Sequence, residues 1–340
     1  MSDTVKVGIL GSGTWGIALA RMLSNAGRSV TVWSAIDSEI DMLKEKGRHP
    51  NFEGVVLPDD ITYTKNIDEA CQGMDIIVFA VPSPFVRITA RKAAPFVSNE
   101  QIIVDVAKGI EEQTLFTMTE IIRDEICDPS VKLVALSGPT HAEEVVRDLP
   151  TTIVSASDDA AAAELVQKIF TTECMRVYTN DDVKGVELCG ALKNIIALAS
   201  GIATGLGCGD NAKAALITRG IAEISRLGTA MGCREQTFGG LAGIGDLIVT
   251  ATSMHSRNNR CGILLGQGVS ADEAIRQVGM VVEGLNALPA ALSLSKKYNV
   301  EMPIVEMVDA VVSQRVNISE AVHKLMSREL KSELGASAFV

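Results

Sequence analysis

The feature that most restricts this chain is Gly11-Ser12-Gly13-Thr14-Trp15-Gly16, set between an apolar run, Val5 to Leu10, and a helical-looking run, Ile17 to Asn25. A G-x-G-x-x-G says little alone, but strand, glycine turn and helix in that order predict a βα unit that binds a dinucleotide. Gly11 permits the tight turn, Gly13 lets backbone N–H groups approach a pyrophosphate without an intervening Cβ, and Gly16 lets the helix lie close on the strand. Ser12, Thr14 and Trp15 fall at the helix N-terminus, whose unpaired donors and partial positive charge suit phosphate.

The segments that follow alternate as a doubly wound sheet requires. Val30 to Trp33, Asp75 to Pro82, Gln101 to Val106, Lys132 to Leu136, Thr152 to Ser155 and Met175 to Thr179 read as strands, with room for crossover helices between the earlier ones. From Val183 the β-branched alternation fades and long helical stretches follow: Val183 to Thr204, Asn211 to Met231, Asp272 to Tyr298 and Pro303 to Arg315. The expected fold is therefore α/β: an N-terminal Rossmann-type doubly wound domain over 1–182, then an all-helical domain over 183–340. The cleft between them, beyond the C-terminal ends of the strands, is the expected substrate site.

Composition narrows the partners. Hydrophobic residues make up 47% and charged residues 21% of the 340, and the net charge is −11, which opposes a nucleic-acid or anionic-membrane surface. Any anionic ligand must meet a local positive cluster. Seven cysteines without a C-x-x-C pair suit a reduced cytoplasmic setting. The first strand begins too early for a signal sequence, and the most apolar stretches are broken by glycines and charges, so no integral membrane segment is expected. The histidines, 49, 141, 255 and 323, are too scattered for a metal motif.

Local clusters appear in four places. Lys108-Gly109 and Ser137-Gly138-Pro139-Thr140 follow the fourth and fifth core strands, where such a sheet presents ligand loops; either a substrate anion or ordinary turn chemistry accounts for them. Lys193-Asn194 interrupts an otherwise apolar helix in a stretch, Leu188 to Gly209, that has no acidic residue. A lysine desolvated in a cleft has a lowered pKa and can exchange a proton with a carbonyl oxygen; a snorkelling head on an apolar stem is the bland reading. Asp246 closes Leu241-Ala242-Gly243-Ile244-Gly245 at a helix start, where an N-terminal cap suffices to explain it. From Leu247 to Ala271 there is again no acid, and Ser256-Arg257-Asn258 offers a guanidinium fork with two neutral donors, suited to phosphate.

Taken in order, Gly11 to Gly16, Lys108-Gly109, Ser137 to Thr140, Ala191-Leu192-Lys193-Asn194, Ala242 to Leu247, Ser256-Arg257-Asn258 and Val282-Glu283-Gly284 resemble the bacterial type of NAD(P)-dependent glycerol-3-phosphate dehydrogenase over essentially the whole chain. The resemblance implies reduction of dihydroxyacetone phosphate to sn-glycerol 3-phosphate for phospholipid synthesis, with Lys193 as proton donor and acceptor. It implies substrate contacts from Lys108, Gly138, Thr140, Lys193, Asp246, Ser256, Arg257 and Asn258. It further implies cofactor contacts from Thr14, Trp15, Lys108, Ala142, Arg257, Val281 and Glu283, beside the glycine loop. The small phosphorylated substrate is the expected partner, and a homodimer is compatible with this reading. Many members of that family carry a basic residue after the second strand, suited to the 2′-phosphate of NADP. Here the chain reads Trp33-Ser34-Ala35-Ile36-Asp37, so of NAD and NADP the former is favoured, with Asp37 as the nearest carboxylate. Two rivals stand beside this: a two-domain β-hydroxyacid-type dehydrogenase, and a non-catalytic NAD(H) sensor.

Overall fold

The structure, a computed structural model, describes residues 4–330, 332 and 333. Its first part comprises β1 (Lys6–Leu10), α1 (Thr14–Asn25), β2 (Ser29–Trp33), α2 (Asp37–Lys46), β3 (Thr62–Thr64), β4 (Ile76–Phe79), α3 (Val86–Ala93), β5 (Ile102–Asp105), α4 (Met118–Ile126), β6 (Lys132–Ser137), α5 (Ala142–Val145), β7 (Thr151–Ala156), α6 (Ala160–Phe170) and β8 (Met175–Asn180). The sheet order is β3-β2-β1-β4-β5-β6-β7-β8. Every neighbouring pair is parallel except β6 with β7. All four residues of β4 and of β5 are buried, as expected of strands covered by helices on both faces.

The order reverses between β1 and β4, and the glycine turn opens at that point. Gly11 has φ +129°, and a Cβ there would lie 2.7 Å from the Ala80 backbone; one on Gly16 would lie 2.1 Å from the Gly11 carbonyl. Both glycines are thus required by close approach. A Cβ on Gly13 would meet nothing within 4 Å, so this glycine faces open space at the N-terminus of α1.

The antiparallel step at β7 has a simple cause. The connection from Ser137 to Thr151 contains only the short α5, and β7 returns from the same end of the sheet, with Ser137 facing Val154. Residues 138–150 therefore stay above the C-terminal ends of the strands.

The second part is helical: α7 (Val183–Gly205), α8 (Asp210–Ala230), α9 (Glu235–Phe238), α10 (Asp246–Thr252), α11 (Arg257–Gly266), α12 (Ala271–Val278), α13 (Glu283–Tyr298), α14 (Pro303–Val312) and α15 (Ile318–Met326). Helix α7 is its pillar, with every residue from Gly185 to Ala203 buried. Such a helix is apolar on all sides because it has protein on all sides. The turn from β8 into α7 is fixed by Asp182, which accepts from Gly185 N at 3.1 Å, Arg234 N at 2.9 Å and Thr237 Oγ1 at 2.6 Å. Two glycine pairs, Gly201 with Gly262 and Gly205 with Gly266, bring the backbones of α7 and α11 together; a Cβ on any of the four would lie within 2.3 Å of a carbonyl oxygen of the other helix.

Several expectations change. The stretch Asp272 to Tyr298 is two helices, because Gly279 adopts the left-handed conformation (φ 68°) that ends α12. The helix expected to start at Asp246 is α10, whereas the short helices α9, α11 and α15 and the edge strand β3 have no counterpart in the sequence reading. Residues Leu241–Gly245, read as a loop, form a π-helical turn with a non-helical kink at Gly243.

Candidate active site

Three charged side chains meet where the helical domain covers the ends of β5 and β6. Lys193 projects from α7, Asp246 from the start of α10, and Lys108 from the loop after β5. Asp246 Oδ1 accepts from Lys193 Nζ at 2.6 Å and Oδ2 accepts from Lys108 Nζ at 2.8 Å. The carboxylate side chain is 1% exposed and the Lys193 side chain 6%. Asp246 makes no capping bond and is instead the anion between two ammonium groups, so the cap expectation is corrected. The Lys193 head does not snorkel to water. It also donates to Thr250 Oγ1 at 2.6 Å, and Thr250, one turn after Asp246 on α10, passes its own hydroxyl bond to the Asp246 carbonyl.

Burial pushes the Lys193 ammonium down to about 7, against the pull of Asp246 and with the push of Lys108. Burial alone would raise Asp246, yet Lys108 and Lys193 together hold it below the ordinary carboxylate value. Lys108 completes its donor set with the Gly138 carbonyl (3.0 Å) and Thr140 Oγ1 (3.2 Å), which draws the loop after β6 into the cluster.

The acid-free segment supplies the opposite wall. Ser256 caps α11, its Oγ accepting from Asn259 N at 3.2 Å and keeping its own hydrogen. Asn258 joins two helices: its Nδ2 donates to Asn194 Oδ1 at 2.9 Å, and its Oδ1 accepts from Gly284 N at 2.8 Å. The guanidinium of Arg257, the first residue of α11, makes no hydrogen bond or ion pair with another described residue. Burial lowers its guanidinium's pKa, with Glu283 and Glu143 opposing. A half-buried guanidinium at a helix N-terminus is a receptor for a dianion.

Glu283, at the start of α13, reaches across to the sheet domain, where Ser83 N (3.2 Å) and Ser83 Oγ (2.6 Å) donate to it. Val281 precedes it, and Ala142 begins α5. The rim also holds His141 and His255, ring centroids 5.8 Å apart, with His141 lowered by burial. Deeper, Glu187 of α7 accepts from Thr117 Oγ1, Thr119 N and Thr119 Oγ1 at 2.6–2.8 Å and so fastens α7 to α4.

The glycine turn fits a dinucleotide. Gly13 is the N-cap of α1 with no side-chain cap, so the first backbone N–H groups have no side-chain partner, and the space before Gly13 is clear. Residues 11–16 would hold the pyrophosphate; Lys108 follows β5, and Glu283 is tied to Ser83 just past β4. Thr250, Ser83 and Glu39 join these clusters with no signal in the sequence reading, while Asn194 shows in the sequence only as the polar neighbour of Lys193.

Comparison with known proteins agrees with this arrangement. Residues 6–163 match the profile of the NAD-dependent glycerol-3-phosphate dehydrogenase N-terminus and residues 182–323 that of its C-terminus. The chain is 62% identical over 333 residues to glycerol-3-phosphate dehydrogenase [NAD(P)+] 2 of Lactobacillus delbrueckii subsp. bulgaricus, covering 97% of this chain and 99% of that one. It is 54% identical to glycerol-3-phosphate dehydrogenase [NAD(P)+] of Agathobacter rectalis, over 96% and 97% of the two chains. The crystal structure of glycerol-3-phosphate dehydrogenase from Coxiella burnetii superposes with a TM-score of 0.91 at 34% identity, over 96% of this chain and 99% of that one. A ketopantoate reductase from Ralstonia eutropha (TM-score 0.62, 17% identity, over 91% of this chain and 98% of that one) shares the fold alone.

Proposed function

The chain belongs to the NAD-dependent glycerol-3-phosphate dehydrogenase family and catalyses the reversible reduction of dihydroxyacetone phosphate to sn-glycerol 3-phosphate with NAD(P)H, a step toward glycerophospholipids; from that premise we propose that Lys193 passes the proton. The observation that carries this is the burial of its ammonium between Asp246 and Thr250, 2.6 Å from each. The nicotinamide, when bound, supplies or takes the hydride. As negative charge grows on the C2 oxygen, the Lys193 ammonium stabilises it and donates a proton; in the reverse direction the amine removes that proton. Asp246 and Thr250 hold the ammonium in place. Lys108, Gly138 and Thr140 flank the substrate from the sheet side, while Ser256, Arg257 and Asn258 receive the phosphate, which fixes the carbonyl against the cofactor.

Three supports favour this over the carboxylate-reductase alternative. The unpaired guanidinium of Arg257 at a helix N-terminus, the acid-free segment Leu247 to Ala271 that carries it and the high identity to glycerol-3-phosphate dehydrogenases all fit a phosphorylated substrate. The domain division is read at 182/183, between the end of β8 and the first residue of α7. A reduced cytoplasmic setting fits seven unpaired cysteines. Helix α7 has the length and hydropathy of a membrane span, but that window is wholly buried within the protein.

Lys193→Met keeps the apolar stem and removes the ammonium. It should lower kcat by roughly a hundredfold or more while leaving the affinity for NADH, measured by titration calorimetry, within a few-fold of the parent. Turnover close to the parent by a folded variant would remove Lys193 from the reaction.

A further inference from the structure

We propose that Glu39 sets this enzyme's choice between the two dinucleotides, favouring NADH over NADPH, an inference that rests on the reading of Gly11 to Gly16 as the pyrophosphate loop. The sequence offers Asp37 for the ribose; in the structure Asp37 is exposed at the first position of α2, and the carboxylate that reaches the glycine turn is Glu39. Ser12 Oγ, within the glycine turn, donates to Glu39 Oε2, and so does Ser34 Oγ, just past the end of β2, at 2.7 Å. Ser34 is itself pinned by Ile36 N, which donates to its Oγ at 3.2 Å. Ser12 and Ser34 are buried and Glu39 is half-buried. One carboxylate oxygen is therefore saturated by two fixed hydroxyls, while Oε1 makes no hydrogen bond to a described residue.

A dinucleotide whose pyrophosphate lies on the turn after β1 places its adenosine ribose beside the end of β2. There the open oxygen of Glu39 can accept from the ribose diol. A phosphate on the 2′ oxygen would bring a second dianionic group against the same carboxylate. Nothing fixed nearby offsets it. The first turn of α2 holds two acids, Asp37 and Glu39, which offset the positive helix end that would otherwise attract a phosphate. The basic residues of α2, Lys44 and Lys46, sit in its last turn, about 10 Å further along the axis. His49 borders the same site but is a neutral ring: its Nδ1 accepts from Asn51 N at 3.2 Å, and burial lowers its pKa against the opposing effect of Glu39. Arg48 is exposed beyond the helix end.

The experiment measures NADH and NADPH dissociation constants by titration calorimetry, and kcat/KM for each with dihydroxyacetone phosphate, in the parent, Glu39→Gln and Gly13→Val. The parent should bind NADH roughly tenfold or more tighter than NADPH, since the 2′-phosphate brings like charges together. Glu39→Gln keeps an oxygen and the side-chain length but loses the charge, and should shrink that ratio roughly tenfold, chiefly by tightening NADPH. Gly13→Val fills the clear space before the turn and should weaken both cofactors alike. Parent preference for NADPH would overturn the assignment and point to Arg48. An unchanged ratio in Glu39→Gln, with both affinities lowered together, would reduce Glu39 to a brace for the loop. If Gly13→Val bound both cofactors like the parent, the loop reading itself would fall.

Discussion

Around Asp246 two ammonium groups share one carboxylate, so the cluster carries one positive charge in excess. Burial outweighs the pull of Asp246 and brings Lys193 to about 7. On the proposed mechanism reduction uses its ammonium and oxidation its amine. The kcat/KM for dihydroxyacetone phosphate should therefore fall, and that for glycerol 3-phosphate rise, as pH passes through about 7. Lys108→Met removes a repelling charge and should move both limbs to higher pH; Asp246→Asn removes the attracting one and should move them lower. Rate profiles of the three proteins check this, and limbs that stay fixed in all of them would place the titrating group elsewhere. At this scale Lys193 and Asn194 are legible in the sequence because a polar pair interrupts an apolar helix. Their partners are not: Lys193 meets Asp246 across 53 residues and Lys108 meets it across 138, and only the docked domains make those contacts. Glu39 is hidden for another reason, since a side chain on the first turn of a helix reaches back over its end while the nearer Asp37 points outward.

Helix α11 carries Arg257 and α7 carries Lys193, so the distance between phosphate receptor and proton donor is set by how these two helices pack. The glycine pairs make that distance short. Gly262→Ala would put a methyl 2.2 Å from the Leu198 carbonyl, a backbone atom that cannot swing aside. Overpacking of this kind costs about 1–3 kcal/mol. The variant should melt roughly 2–12 °C lower, at about 2–4 °C per kcal/mol for chains somewhat shorter than this one, and show a raised KM for dihydroxyacetone phosphate. Calorimetry and initial rates test it; a parent-like melting temperature would mean that the helices part at no cost. Long, buried elements such as β4 and α7 are legible because their composition matches burial on every side. The break at Gly279 is not, since the helical periodicity resumes at once in α13. Nor is the three-residue β3, which is too short to establish alternation.

The whole molecule divides the work between its parts. The sheet domain contributes the glycine turn and Lys108; the helical domain contributes Lys193, Asp246 and Arg257; Glu283 and Ser83 bridge the two. On the proposed reading Arg257 meets both ligands, so its role is best read as a ratio. Arg257→Lys keeps the charge but loses the fork, and should lower kcat/KM for dihydroxyacetone phosphate far more than for unphosphorylated dihydroxyacetone. Equal losses on the two substrates would make the arginine structural or cofactor-facing. The triad has one more consequence. Asp246 and Lys193 are buried and Lys108 is half-buried, so two lysines face one carboxylate on the substrate side of a chain of net charge −11. On the proposed reading the ketone and the alcohol carry the same phosphate to Arg257, and they differ at the triad by one carbon only. The product should therefore compete with the next substrate, which product-inhibition kinetics would read.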